Sequence, residues 1–186
     1  MTQPIPNTHS VHGVFLDVFS MGVLITGDSG TGKSELALDL ISRGHTLVAD
    51  DAPDMTVTDR ELIVGTCPEL LAGYLDVRGL GVLDVRAMFG VAAVKTQQTL
   101  NLIIHLQSLA NTPTEQSALT PLHSNSTDQS ILGVKIPKTT LLVAPGRNLA
   151  ILLEAAVHNY RLKLSGVDAA NEFINLQRNA IKEHLR

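Results

Sequence analysis

Eight consecutive residues, Gly27-Asp28-Ser29-Gly30-Thr31-Gly32-Lys33-Ser34, carry the spacing G-x-x-x-x-G-K-[ST]. That spacing suits phosphate. Its glycines let several backbone N–H groups turn inward on one anion, and a helix starting directly after the loop adds its positive end. In such a loop the lysine, here Lys33, reaches the β- and γ-phosphates of a nucleotide, and the Ser34 hydroxyl sits on Mg²⁺. The expected ligands are therefore ATP and Mg²⁺. A glycine-rich turn that binds nothing is the plain alternative. Both flanks favour the phosphate loop: the apolar run Val23-Leu24-Ile25-Thr26 precedes it as a strand would, and Ser34 to Ser42 continues at helical period.

Phosphoryl transfer also needs a metal and a group that handles the proton of the attacking hydroxyl. Asp50-Asp51 follows the next predicted strand, at the strand end where an α/β sheet usually carries functional residues. One carboxylate would serve as base and the other would hold metal-bound water, and their mutual repulsion would raise one pKa. An acidic pair capping a turn is the simpler reading. Asp76 and Arg78 stand two apart, so on extended backbone they share a face and can address metal and phosphate together, or form an ordinary surface ion pair. His12 and Arg147 complete the candidates; each could instead cap a turn. His9 and His12 have no cysteine nearby, so zinc is not expected.

The elements that must position these residues follow from period and punctuation. Residues 1–10 are polar and read as a loose lead-in. A hairpin of Gly13–Phe19 and Val23–Thr26 would feed the loop, and a helix over Lys33–Ser42 would bury Leu36, Ala37, Leu40 and Ile41 before stopping at Gly44. A strand over His45–Ala49 would deliver Asp50-Asp51, and Met55–Thr58 with Leu62–Gly65 would make a second hairpin. The segment Tyr74–Arg86 reads as neither a clean helix nor a clean strand. Leu100–Leu106 is a strand candidate, and residues 108–130, rich in Ser, Thr, Asn, Gln and Pro, read as a long mobile loop. Strands at Ile131–Ile136 and Thr139–Val143 would lie on either side of Pro137. Helices through about Leu164 and from Asp168 to His184 would close the chain. The expected fold is one α/β domain over residues 1–186, a mixed sheet with C-terminal helices.

Composition narrows the function. With 186 residues the chain can bury roughly 70% of its unfolded surface as one domain. A formal net charge of -4 and 3% aromatic residues argue against a grip on nucleic acid, and no apolar run is long enough to cross a bilayer. One cysteine, Cys67, allows no intrachain disulfide, and no charged-then-apolar leader opens the sequence, so a cytoplasmic setting is expected.

The ordered set Val11-His12-Gly13, Gly27 to Glu35, Arg43-Gly44-His45, Leu47 to Asp51, Arg78-Gly79-Leu80-Gly81, Met88-Phe89-Gly90, Pro145 to Asn148 and Asn159-Tyr160-Arg161 resembles the catalytic domain of the HPr kinase/phosphorylase family. The resemblance covers nearly the whole chain. It implies a bacterial cytoplasmic enzyme that uses a nucleotide and Mg²⁺ to phosphorylate a serine of the phosphocarrier HPr. It also implies removal of that phosphate by inorganic phosphate, giving pyrophosphate, and a core like that of phosphoenolpyruvate carboxykinases. On matching positions Lys33 binds phosphate, Ser34 and Asp76 hold the metal, Asp51 with Asp50 handles the proton, and His12 is the active-site histidine. Asp76–Asp84 matches a segment tied to both reactions, and Ala144–Leu149 a turn tied to dephosphorylation. Members are typically homo-hexamers and usually carry a further amino-terminal domain.

Two positions depart from the family pattern. Asp76 stands where Glu is usual, one methylene shorter. Ala118-Leu119-Thr120-Pro121-Leu122 stands where Asp-Arg-Leu is usual, so an active-site arginine is replaced by Leu119. Two other functions therefore stay open: a nucleotide- or phosphate-sensing module without transfer activity, and a small-molecule kinase on the same core.

Overall fold

The computed structural model describes residues 8–108 and 126–184. Eleven strands, four α-helices and two short 3₁₀ turns are present among them. The strands are β1 Thr8–Ser10, β2 Val14–Val18, β3 Met21–Gly27, β4 Thr46–Ala49, β5 Asp54–Val57 and β6 Ile63–Thr66. They continue as β7 Tyr74–Val77, β8 Gly81–Asp84, β9 Gln97–Ser108, β10 Ser126–Ile131 and β11 Val134–Val143. The helices are α1 Lys33–Ser42, α2 Val85–Phe89, α3 Leu149–Leu164 and α4 Ala169–His184.

Nine strands form one mixed sheet in the order β1-β5-β6-β9-β3-β2-β4, with β11 also on β9 and β10 on β11. The 12-residue strand β9 makes this fork possible. Its first residues, 97–99, pair antiparallel with β6, whereas residues 103–108 pair parallel with β11. Its other edge pairs parallel with β3. Strands β7 and β8 form a separate hairpin.

Alternating side chains divide the core between the two faces of the sheet. Leu16, Val23, Ile25, Leu102 and Ile104 face the helices, meeting Leu36, Leu40, Leu153 and Val157. Phe15, Leu24, Ile103, Met55 and Ile136 build the opposite face. Helix α1 buries Leu36, Ala37, Leu40 and Ile41, the four residues expected from its period, and ends at Gly44 with φ +96°.

The mixed sheet, both hairpins, α1, α3 and α4 lie where the sequence pattern puts them. Four segments differ. Thr8–Ser10 of the expected lead-in pairs with Asp54–Thr56 as an edge strand. The segment from Tyr74 resolves into the β7–β8 hairpin followed by α2, whose N-cap is Asp84, with Oδ1 accepting from the Ala87 N–H at 3.0 Å. Residues 126–130 of the expected loop are strand β10; residues 109–125 lie outside those described, and so does Leu119. Pro137 does not interrupt β11. It sits opposite Asp128 on β10 and precedes Lys138, the first residue in register with β9, so that ladder begins after the residue that cannot donate.

Candidate active site

Strand direction gathers the site. Strand β2 is antiparallel to both β3 and β4, so its start lies where β3 and β4 finish. His12 precedes β2, the phosphate loop follows β3, and Asp50-Asp51 follows β4, which brings all three to one end of the sheet. The β7–β8 hairpin adds Asp76 and Arg78. Lys33, Ser34 and these five residues, His12, Asp50, Asp51, Asp76 and Arg78, line one cleft of about 380 Å³. Ser29, Gly30 and Gly32 of the loop line it as well.

The loop is built for close approach. A Cβ on Gly27, whose φ is +144°, would lie 2.5 Å from the Leu106 carbonyl oxygen, so only glycine lets β3 leave the sheet beside β9. A Cβ on Gly13 would lie 2.5 Å from the Ile25 carbonyl oxygen, which keeps the entry to β2 equally tight. Thr31 is buried and donates from Oγ1 to the Asp28 carbonyl at 2.8 Å, closing the turn. Lys33 Nζ donates to the carbonyls of Gly27 at 3.0 Å and Asp28 at 3.1 Å, so its ammonium is already drawn back over the loop. The Arg78 guanidinium approaches Gly30, where an added Cβ would be 3.3 Å from Nη1.

The carboxylates are individually held. Asp50 is the deeper one: its Oδ1 accepts from the Asp51 N–H at 3.0 Å and its Oδ2 from the Asp76 N–H at 2.8 Å. Burial pushes the Asp50 carboxyl above the usual range; these two donors oppose the rise, and the charges of Asp51 and Asp76 add to it. Asp51 adopts φ +66°, a left-handed conformation that Asp tolerates better than most residues, and its carbonyl accepts from the Gly13 N–H at 2.9 Å. That conformation turns the Asp51 side chain toward His12, whose Nδ1 lies 2.9 Å from Asp51 Oδ1. A hydrogen bond there requires a proton on Nδ1, which leaves Nε2 of the neutral ring free to accept.

Ser34 and Asp76 supply a hydroxyl and a carboxylate to the same cleft. Among the described residues, no group of three or more His, Cys, Asp or Glu side chains could hold a metal. Mg²⁺ on a nucleotide does not need one, since it takes one or two carboxylates together with phosphate oxygens and water. The donor set fits that ion.

Arg147 lies elsewhere. It lines a second hollow, of about 630 Å³, and donates from Nη1 to the Leu142 carbonyl at 3.3 Å. Two nearby residues were not singled out by sequence. Glu35 lines both hollows, and its place in the first turn after Lys33-Ser34 was the available signal. His105 on β9 stands opposite Thr26 and its Nδ1 lies 3.1 Å from Thr26 Oγ1. Burial lowers the His105 pKa, the positive charges of Lys138 and Lys33 lower it further, and Asp28 opposes them. A lone histidine in an apolar strand gives no spacing signal.

A G-x-x-x-x-G-K-S loop between strand and helix, opening onto a cleft of carboxylates at one end of a mixed sheet, defines an α/β fold of the P-loop class. Residues 3–177 match the family described as HPr Serine kinase C-terminal domain, and the chain belongs to that family. It is 53% identical over 173 residues to the HPr kinase/phosphorylase of Chromobacterium violaceum, covering 93% of this chain and 54% of that protein. It is 53% identical over 174 residues to the HPr kinase/phosphorylase of Bordetella pertussis, covering 94% and 55% respectively. The chain thus spans about half the length of the curated relatives it matches. The Hpr(Ser) kinase/phosphatase structure from Coxiella burnetii superposes with a TM-score of 0.78 at 40% identity, over 89% of this chain and 98% of that one.

Proposed function

We propose that this domain transfers the γ-phosphoryl group of ATP to a serine hydroxyl of HPr, and returns it to inorganic phosphate as pyrophosphate. The observation that carries this reading is one cleft holding both Lys33, over the phosphate loop, and the His12–Asp51 pair. Loop amides and Lys33 bind the phosphates, and Arg78 lies over the same loop to meet charge developing on the transferred group. Asp51 accepts the serine proton as the serine oxygen bonds to phosphorus and the bond to the ADP oxygen breaks. His12 orients that carboxylate. In the reverse direction a phosphate oxygen attacks the phosphoserine, pyrophosphate forms, and Asp51 returns the proton to the serine oxygen. Asp50, held by two amides, fixes the turn that presents Asp51. Ser34 and Asp76 would hold Mg²⁺, which supplies charge neutralisation to the phosphates.

The test is incubation with HPr, labelled ATP and Mg²⁺, followed by inorganic phosphate. Label should enter one serine and leave as pyrophosphate. Nucleotide binding without transfer would instead support a sensing module, a second reading favoured by Leu119 at the position of the family arginine. A Leu119→Arg variant assayed beside the parent separates the two, since transfer only in the variant would show that the parent lacks the needed cation.

The same reading includes a phosphoenolpyruvate-carboxykinase-like nucleotide core, a cytoplasmic setting and a homo-hexamer. No described helix is long and apolar enough to cross a membrane. The homo-hexamer is drawn from the family resemblance. Sedimentation of the purified chain tests it.

A further inference from the structure

Strands β3, β9 and β11 run parallel, and near their carboxyl ends Thr26, His105 and Thr140 stand abreast. By alternation Thr26 and His105 share the face of Leu24 and Ile103, away from α1 and α3. The residue after Thr26 is Gly27, where the phosphate loop begins, and Lys33 Nζ is fastened to the Gly27 carbonyl at 3.0 Å. His105 Nδ1 lies 3.1 Å from Thr26 Oγ1, so the ring is tied to the residue that leads into the loop. The charged groups acting on that ring are Lys138 on β11 and Lys33 and Asp28 of the loop. Burial and the two ammonium groups outweigh Asp28 and favour the neutral imidazole. An anion cradled by the loop amides offsets Lys33 and brings negative charge beside Thr26, which favours the imidazolium instead.

We infer that His105 is a positioning residue of the phosphate loop: it anchors the loop's entry through Thr26 and takes up a proton when phosphate binds there. This rests on the phosphate-binding reading of the loop. The tie withstands the change of charge, because a hydroxyl donates to a bare Nδ1 and accepts from a protonated one. Since the loaded loop makes the ring bind its proton more tightly, affinity for phosphate rises as pH falls through the histidine range. His105 touches neither the acceptor nor the reacting phosphorus in this scheme. It acts through Thr26 and through its charge.

Proton NMR of the full chain reads this directly. The His105 ring is identified by its proximity to the Thr26 methyl group, and its titration is followed in the free chain and with saturating Mg-ADP. The midpoint should rise by about one pH unit on binding. An unmoved or lowered midpoint in a chain that binds Mg-ADP by calorimetry would overturn the inference and leave the phosphate loop standing. Failure to bind Mg-ADP would overturn the loop reading and this inference with it. Two variants then separate the proton from the tie. In His105→Asn the amide can bond Thr26 from the place of Nδ1 but never titrates, whereas His105→Val does neither. The gain in Mg-ADP affinity between pH 8 and pH 6 should be about threefold larger in the parent than in His105→Asn. Any gain due to His12 persists in the variant and cancels in that comparison. At pH 8, His105→Val should bind about fivefold more weakly than His105→Asn. Equal gains in parent and His105→Asn would overturn the proton uptake, and equal affinities of the two variants would overturn the tie. The NMR titration needs neither variant to fold.

Discussion

Asp51→Asn separates catalysis from stability more sharply than any other substitution in the site. The His12–Asp51 contact is short, 2.9 Å, but the two side chains are 64% and 76% exposed. Exposed ion pairs contribute about 0.2–1 kcal/mol, so removing the charge should cost no more than that. Asparagine also accepts the left-handed backbone at φ +66°, which adds no strain. For a chain of this length about 1 kcal/mol moves the melting temperature by roughly 2–4 °C, which sets the largest fall expected. Transfer, by contrast, should drop about 10²–10⁴-fold, the usual contribution of a positioned base. The assay pairs labelled phosphate transfer to HPr with a thermal melt and ATP calorimetry on the same preparation. Turnover within threefold of the parent would refute the proton-handling role. A melting temperature lowered by more than about 8 °C would show that Asp51 holds the fold instead, since such a shift exceeds what an exposed pair supplies.

Gly27→Ala should destabilise the fold by about 2–5 kcal/mol, combining backbone strain with a Cβ placed against the Leu106 carbonyl; denaturant unfolding measures it, and a loss under 0.5 kcal/mol would contradict the close approach of β3 and β9. Asp50 binds its proton more tightly folded than unfolded, so the stability it contributes is present below its ordinary pKa of 3.8 and is lost as pH rises through the raised value. Asp50→Asn should flatten the stability-versus-pH curve over that interval, and an unchanged slope would refute the burial effect. His105 has the opposite sense: its pKa is lowered from 6.5, so the stability from the neutral ring is present above 6.5 and lost as pH falls through the lowered value. His105→Gln should remove that acid-side loss in melts taken downward from neutral pH.

Local signals carried the site further than they carried the sheet. The loop spacing, the four-residue apolar face of α1 and the turns before α3 are written within a dozen residues each, and so could be read directly. Asp50-Asp51 and His12 were legible as candidates because they flank strands near the loop, but their 2.9 Å pairing depends on β2 running against both neighbours. That is a property of topology. The β7–β8 hairpin is hard to read because each strand is four residues long: Leu75 and Val77 alternate inward on β7, but β8 has no buried residue and leaves Val82 exposed, so the pattern stops before it can be told from a loop. Thr8–Ser10 and Ser126–Ser130 carry the Ser and Thr that also mark loops, and only their partners on β5 and β11 make them strands. Arg147 is a candidate through its Pro145-Gly146-Arg147-Asn148 turn at a helix start and the family segment it matches; that it lines the second hollow follows from the parallel pairing of β11 with β9, which no short window contains.

That forked strand has a mechanical consequence. Residues 103–106 of β9 are paired along both margins, with β3 on one and β11 on the other, so their amides form a spine between the strand that leads into the loop and the strand that leads to residues 144–148. Deuterium should therefore reach Ile103 and Ile104 last, after the outer ribbons β1–β5 and β10 have exchanged.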